Sequence, residues 1–393
     1  MVPLERAYGL IKMMRDRFYS SLTVEHITVS NSLGRRLSLD MTAMVSSPAH
    51  NISTMDGYAV RTNDSYPMKI TGEVFAGDRG DKALGPGESV YITTGAVVPA
   101  GADAVLKIED AQVRDGMLYG IKLEPWDNII KAGSDFAEGE VILSRNTVVT
   151  PSAIAILCAA GIDEVEVFRK IRAAVISSGD EIRNGMTRDT NAPMVCAMLQ
   201  TWGCDVDHLG VAPDDPVETR DMLERATSGY DIVITIGGIS VGKKDFVAST
   251  ILEKGHVVFR GYRVRPGKPL LVSYYNDVPV FSLPGKPTGS FTSMELIVRK
   301  FILGEAKPSS VDVPMARDME FSPGEDFEYV VYVQLKDGSA MPMGYEGSPL
   351  KLFTGPRYGV SIVSSSPRAI VADGYFLVRN DVKAGQKVTV NLL

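Results

Sequence analysis

The chain has 393 residues, 45% apolar and 23% charged, an ordinary globular composition that excludes wholesale disorder. At roughly 100–200 residues per domain this length predicts two to four domains. The net charge of −7 excludes a generally basic nucleic-acid binder. Cys158, Cys196 and Cys204 show no CxxC spacing, which argues against a disulfide framework or a structural zinc site. The four histidines match no zinc-ligand spacing either. No apolar run approaches the roughly 18 residues of a membrane span. The N-terminal stretch has scattered charges rather than an apolar core, so no signal peptide is expected and the chain reads as cytoplasmic.

Along the chain, Leu4, Ala7, Leu10, Ile11 and Met14 recur at helical spacing and predict a helix over 3–18. Residues 40–150 hold short β-prone runs, SVYITT, AVLKI and EVIL, separated by glycine, proline and aspartate. PSAIAILCAAG (151–161) reads as a helix with proline in its first turn and glycine at its end. From residue 171 apolar strands alternate with helices: IRAAVIS, NAPMVCAMLQTWG, DVDHLGVAP, PVETRDMLERATSG, DIVITIGG, DFVASTILEKG, PLLVSYY, VPVFSL and TGSFTSMELIVRKFIL. That order predicts a βαβ domain with a parallel sheet over about 171–305. KPSSVDVP (307–314) reads as a linker. Beyond it VVYVQL, GVSIVSS, AIVADGYFLV and KVTVNLL read as β-prone runs of an all-β module.

The chemistry concentrates in the βαβ region. An apolar strand runs into Gly237, Gly238, Ile239, Ser240, Val241 and Gly242, followed by Lys243, Lys244 and Asp245. A glycine-rich turn between strand and helix offers backbone N–H groups to an anion, although the spacing is neither a Walker A sequence nor GxGxxG. Pro-Gly-Lys-Pro occurs twice, in RVRPGKP (263–269) and SLPGKP (282–287). The prolines stiffen each loop and the lysine carries a point charge for phosphate. Between Lys243 and Lys286 there are eight Lys/Arg and three acids, a local positive field that attracts an anionic substrate. Asp180, Glu181, Asp214, Asp215 and Asp245 follow strand ends, where ligands of open α/β sheets bind. Carboxylates beside basic loops suit Mg²⁺ bridging a phosphate, while helix capping by Asp180 and Asp214 is the structural alternative. Asp56 (in SSPAHNISTMDGYAV) and Thr93, Thr94 and Gly95 (in VYITTGAVVPAGADAVLKIED) stand out in wording, but spacing assigns them no chemistry.

These motifs, S-x-MDGYA, ITTGAxxPxGADAV, G-x-D-x-x-x-G (133–139), SSGDE, DTN (189–191), PDD, GGxSVGxxD, PGKP and LPGxP, taken in this order, resemble the molybdopterin molybdenumtransferases, the MoeA-like proteins that include the C-terminal domain of gephyrin. The likeness runs nearly end to end and loosens at GSPLKLFTGPRYGV. It implies a multi-domain fold: a linking domain I (1–45 with 140–170), a β-rich domain II (46–139), a three-layer, mostly parallel molybdopterin-binding α/β domain III (171–306) and a small β-barrel domain IV (307–393). It implies insertion of molybdate into adenylylated molybdopterin with release of AMP and help from Mg²⁺. It also implies a homodimer whose cleft lies between domain III of one subunit and domain II of the other. The implied partners are a second copy, the pterin adenylate, the oxyanion and the molybdopterin adenylyltransferase, with no nucleic acid and no membrane. Position by position, the resemblance puts Asp56, Asp135, Asp214 and Asp245 in catalysis and Asp56, Asp135 and Glu181 at the metal. Thr94, Gly237, Gly238, Ser240, Gly242, Arg265, Lys268, Pro284 and Lys286 fall to ligand binding. Three departures stand out: Lys286 replaces the asparagine of LPGNP, Arg265 precedes PGKP, and His50-Asn51 replaces Phe-Asp. They keep open a scaffold paralogue or a preference for tungstate.

Overall fold

The run Ile232, Val233 and Ile234, wholly buried on both faces, marks an inner strand of a parallel sheet. The computed structural model describes residues 1–78, 81–239, 246–304, 309–321 and 326–393. They divide into two units, Met1–Leu22 with Lys170–Leu393, and Thr23–Arg169.

In the first unit the strands lie in the order Asp205–Ala212, Arg172–Ser178, Ile232–Ile236, Val278–Leu283, Leu271–Tyr275, His256–Arg260. The first four are parallel, Leu271–Tyr275 runs antiparallel to both its neighbours, and His256–Arg260 therefore runs in the direction of the first four. The chain therefore steps to one side of Arg172–Ser178 and then to the other, which makes a topological switch point at the carboxyl ends of Arg172–Ser178 and Ile232–Ile236. Helices Asn191–Thr201, Pro216–Gly229 and Phe246–Lys254 join the strands. Asp215, with Pro216 next to it, starts the second of these: its carboxylate accepts from the N–H groups of Val217 and Glu218, both at 2.9 Å.

The segment read as one last helix is interrupted. Pro287–Ser293 and Arg299–Leu303 flank a π turn at Met294–Val298. The N-terminal helix, Leu4–Ser21, buries Leu4, Ala7, Ile11 and Met14. Its apolar stripe packs on this terminal helical segment, where the Tyr19 hydroxyl donates to the Ile302 carbonyl at 2.7 Å. Residues 1–22 thus belong by their contacts to the α/β unit, not with 140–170.

Two further expectations change at the C-terminal end. The KPSSVDVP linker contains a strand, Ser310–Pro314, which pairs along its length with Lys387–Leu392. Serine and proline read locally as loop formers, but Val311 and Val313 pack against the module's core and the pairing decides the conformation. GVSIVSS is not a strand but the helix Val360–Ser364, which buries Val363 and Ser364. Its apolar residues Val360 and Val363 are three apart, the helical spacing. The rest is a mixed sheet in the order Val264–Arg265, Glu328–Lys336, Gly374–Val378, Lys387–Leu392, Ser310–Pro314, with Ser339–Pro342 also on Glu328–Lys336. A bridge between Met315 and Ala340 links its far edge to the Ser339–Pro342 strand.

The second unit has a six-stranded sheet in the order Ala104–Lys107, Gly57–Val60, Glu88–Ile92, Met68–Val74, Met117–Tyr119, Gln112–Arg114. A three-stranded sheet, Val24–Thr28, Glu164–Phe168 and Arg36–Leu37, packs with helix Pro151–Ala159 around Leu37, Leu157, Val165 and Val167. Thr150 caps that helix through Ala153 N–H, and Pro151 fixes its first turn. Among the described residues no helix is long and apolar enough to cross a membrane.

Candidate functional site

At the switch point three turns converge. The strand Ile232–Ile236 ends in Gly237 and Gly238, at φ +85° and +65°, the left-handed region that glycine adopts without steric cost. A Cβ on Gly237 would lie 2.8 Å from Ser178 Oγ, so the absence of a side chain lets the two strand ends approach. Gly237 N–H donates to Leu283 C=O at 3.0 Å, and Gly285 stands close by, its Cβ position 3.8 Å from Gly237 Cα. The Ser178 hydroxyl donates to Ile236 C=O at 3.1 Å.

Between these turns lies a cavity of about 370 Å³, lined by Ser178, Gly179, Glu181, Ile182, Asn191, Asp214, Ile236–Ile239, Pro269, Pro284 and Gly285. Gly179 sits at φ +124°, a conformation that glycine adopts without steric cost, and the Glu181 carboxylate lies 2.6 Å from where its Cβ would be. Asp180 is not the cap of the next helix; its Oδ1 accepts from Asp214 N–H at 3.2 Å. The capping role falls to Asp215 rather than Asp214. Glu181 and Asp214 remain as two carboxylates facing one cavity.

Asn191 and Asp189, from the DTN motif, were not singled out as site residues by the sequence. Asp189 Oδ1 accepts from the N–H groups of Asn191 and Ala192 at 3.1 and 3.0 Å, and Ser177 Oγ donates to its Oδ2. Asn191 Nδ2 donates to Gly285 C=O at 2.7 Å. The available signal was an Asp just before a helical apolar pattern, which marks a cap.

A second cavity, of about 490 Å³, shares Ile239 and Pro269 with the first and adds Met1, Arg260, Gly261, Lys268 and Leu270. Arg265 and Lys268 both stand over the Phe327 ring, 4.1 and 5.7 Å from its centroid; such cation–π contacts contribute about 0.5–1 kcal/mol each where exposed. Lys286 Nζ donates to Ser361 C=O at 3.4 Å. Pro284 lines the first cavity, and its carbonyl accepts from Ser290 Oγ. Ser240, Gly242 and Asp245 lie outside the described residues.

Asp56, Thr94 and Asp135 lie in the Thr23–Arg169 unit. Asp56 Oδ1 accepts from Thr94 N–H at 2.7 Å and from Thr94 Oγ1 at 2.9 Å. These bonds, the backbone one first, hold its carboxyl below the usual carboxylate range. Gly57 beside it has no room for a side chain, since a Cβ would fall 1.9 Å from Leu106 C=O. Asp135 N–H donates to Ser47 C=O at 3.0 Å, and Ser47 Oγ reaches its carboxylate at 3.5 Å. The expected metal set thus divides: Glu181 lines the α/β cavity, whereas Asp56 and Asp135 belong to the other unit. Among the described residues no three His, Cys, Asp or Glu side chains gather tightly enough to hold an ion by themselves. Two carboxylates in a cavity suit an ion that takes its remaining ligands from substrate and water, as Mg²⁺ does.

Residues 2–161 match the family described as "MoeA N-terminal region (domain I and II)". Residues 174–304 match the "Probable molybdopterin binding domain". The molybdopterin molybdenumtransferase of Bacillus subtilis is 34% identical over 299 residues, covering 71% of this chain and 70% of its own. That of Haemophilus influenzae is 29% identical over 415 residues, covering 99% of this chain and 98% of its own. A solved structure of the molybdopterin biosynthesis MoeA protein from Pyrococcus horikoshii aligns with a TM-score of 0.74 at 29% identity, over 100% of this chain and 99% of that one.

Proposed function

The chain belongs to the MoeA family of molybdopterin molybdenumtransferases, and from that premise we propose that it acts in molybdenum cofactor biosynthesis, placing molybdate on the dithiolene of adenylylated molybdopterin and releasing AMP. The observation that carries this reading is the cavity at the switch point, where the Ser178–Gly179, Gly237–Gly238 and Pro284–Gly285 turns meet two carboxylates. Ligands of open α/β sheets bind there.

Glu181 and Asp214 would hold Mg²⁺ against a substrate phosphate. When bound, the ion offsets the charge that develops as the phosphoanhydride breaks. The glycine turns let the substrate come close to the backbone. Asp56 stays ionised, because Thr94 supplies two hydrogen bonds to the charged form, and as an acceptor it orients a water or a cation. We further propose a homodimer, the arrangement the resemblance implies, in which Asp56, Thr94 and Asp135 of one copy serve the α/β cavity of the other. The C-terminal module is read as a small barrel, a reading that the Met315–Ala340 bridge supports.

The test is AMP release from adenylylated molybdopterin with Mg²⁺, comparing molybdate, tungstate and no oxyanion. Oxyanion-dependent release, with a product that activates an apo-molybdoenzyme, is expected. Tight pterin binding with no release under any condition would replace this reading with that of a binding protein.

A further inference from the structure

Asn191 begins the helix that lines the first cavity and is itself among the cavity-lining residues. It is 6% exposed. Its Nδ2 is committed to Gly285 C=O at 2.7 Å, and its Oδ1 is buried with no hydrogen-bond partner among the described residues. The orientation is not interchangeable, because turning the amide over would set its oxygen against the Gly285 carbonyl oxygen. A buried acceptor left unmatched is costly and uncommon in a native structure. Of the buried unmatched side-chain atoms among the described residues, Asn191 Oδ1 is the one whose residue lines this cavity, where a bound molecule can supply the donor.

The neighbouring groups point the same way. Glu181 and Asp214 present carboxylates to this cavity, and an ionised carboxylate only accepts. Ser178 has spent its proton on Ile236 C=O. None of these three described groups supplies a hydrogen to Asn191 Oδ1, so its donor is one that the ligand brings.

Resting on the function proposed above, we infer that Asn191 Oδ1 accepts a hydrogen bond from an N–H or O–H group of the bound substrate, either a ribose hydroxyl of its adenylate or a ring N–H of its pterin. Asn191 thereby sets specificity: a site built to bond a donor rejects an analogue that lacks it far more strongly than an apolar pocket would.

The test measures affinity by calorimetry for AMP, 2′-deoxy-AMP, 3′-deoxy-AMP and molybdopterin, with the full chain and with Asn191→Ala, the fold of the variant checked by its melt. If the donor is a ribose hydroxyl, the wild type prefers AMP to one deoxy analogue by about 10-fold or more. Asn191→Ala then loses that preference. If the donor is the pterin's, the nucleotide ratios are unchanged and Asn191→Ala alone weakens molybdopterin binding by a similar factor. A merely structural role would weaken every ligand equally and leave all ratios intact, and that result overturns the inference. Asn191→Ala binding all four as the wild type does overturns it too. A folded wild type that binds none of them overturns the proposed function itself, and this inference with it.

Discussion

Replacing Asp189 tests how the site's floor is held. Its carboxylate serves two neighbours at once. Oδ1 takes the N–H groups of Asn191 and Ala192, at 3.1 and 3.0 Å, and Oδ2 takes the hydroxyl of the wholly buried Ser177. Thr190, the residue adjoining the helix, makes no side-chain cap bond, so Asp189 is the cap. Asp189→Ala removes a cap worth about 0.5–2 kcal/mol. It also strands the Ser177 hydroxyl, at about 1–3 kcal/mol. The sum, about 1.5–5 kcal/mol, corresponds to a fall of about 3–20 °C in melting temperature for a unit of this size. Asp189→Asn keeps an oxygen for the two N–H groups and should lose less than half as much. The chain has two units, so a single melting curve does not isolate this helix. Hydrogen exchange read on peptides across 191–201, beside the melt, does. Asp189→Ala melting within about 2 °C of the wild type, with protection of 191–201 unchanged, would refute the reasoning.

Asp56→Asn should lower AMP release by at least about 100-fold, the scale for losing a preorganised electrostatic group, with only a small change in the melt, since Asp56 is exposed at the surface. Its pKa is lowered by the Thr94 bonds. Any stability it contributes is present above its unfolded pKa and is lost only as pH falls through the still lower folded value. The deficit in activity should therefore be constant across pH 6–8, and a deficit that closes in this range would remove Asp56 from the role. Glu295 behaves oppositely. Burial raises its pKa and Arg299, at 3.4 Å, only partly offsets this. Its contribution is fully present below the unfolded carboxyl pKa of about 4.3 and is lost as pH rises through the folded value. Glu295→Gln should flatten the wild-type decline in stability above that point, measured by urea titration at successive pH values; parallel curves for the two proteins would refute this.

The α/β part was legible because its signals are local. Unbroken apolar runs such as Ile232–Ile236 mark inner strands, and Gly237 and Gly238 announce the turn where the cavity forms. Asp56 and Thr94 were legible as motifs, but the bond between them crosses two strands of a sheet and no spacing rule reveals it. Asn191 escaped notice for a similar reason: what makes it a site residue is its bond to Gly285, 94 positions away. Ser310–Pro314 was misread because its pairing partner, Lys387–Leu392, comes at the far end of the chain. GVSIVSS carries β-branched residues that favour a strand locally, and contacts made through Thr288 stabilise it as a helix instead.

The cations assigned by sequence to the substrate have a second attachment in this fold, and it bears on the Lys286 departure. Thr288 Oγ1 lies within 2.9 Å of the carbonyls of Val363 and Ser366, the first contact buried and the second part-buried. Lys286, two residues earlier, adds a longer bond at 3.4 Å to Ser361 C=O, exposed at the surface. The turn carrying Pro284 and Gly285 is thus tied to the C-terminal module by shorter, more buried contacts at Thr288 and a longer, exposed one at Lys286. Arg265 and Lys268 likewise stand over Phe327. Asparagine at 286 is too short to span to Ser361, so lysine there lengthens the tie while adding a charge. The exposed bond contributes little stability. The charge remains able to swing from Ser361 to an incoming anion, because it is exposed and, among the described residues, no acid pairs with it. The departure therefore alters how the cavity's rim meets an anion more than it alters the fold, and Asn191, held from beneath by Asp189, reads the substrate whichever way Lys286 points.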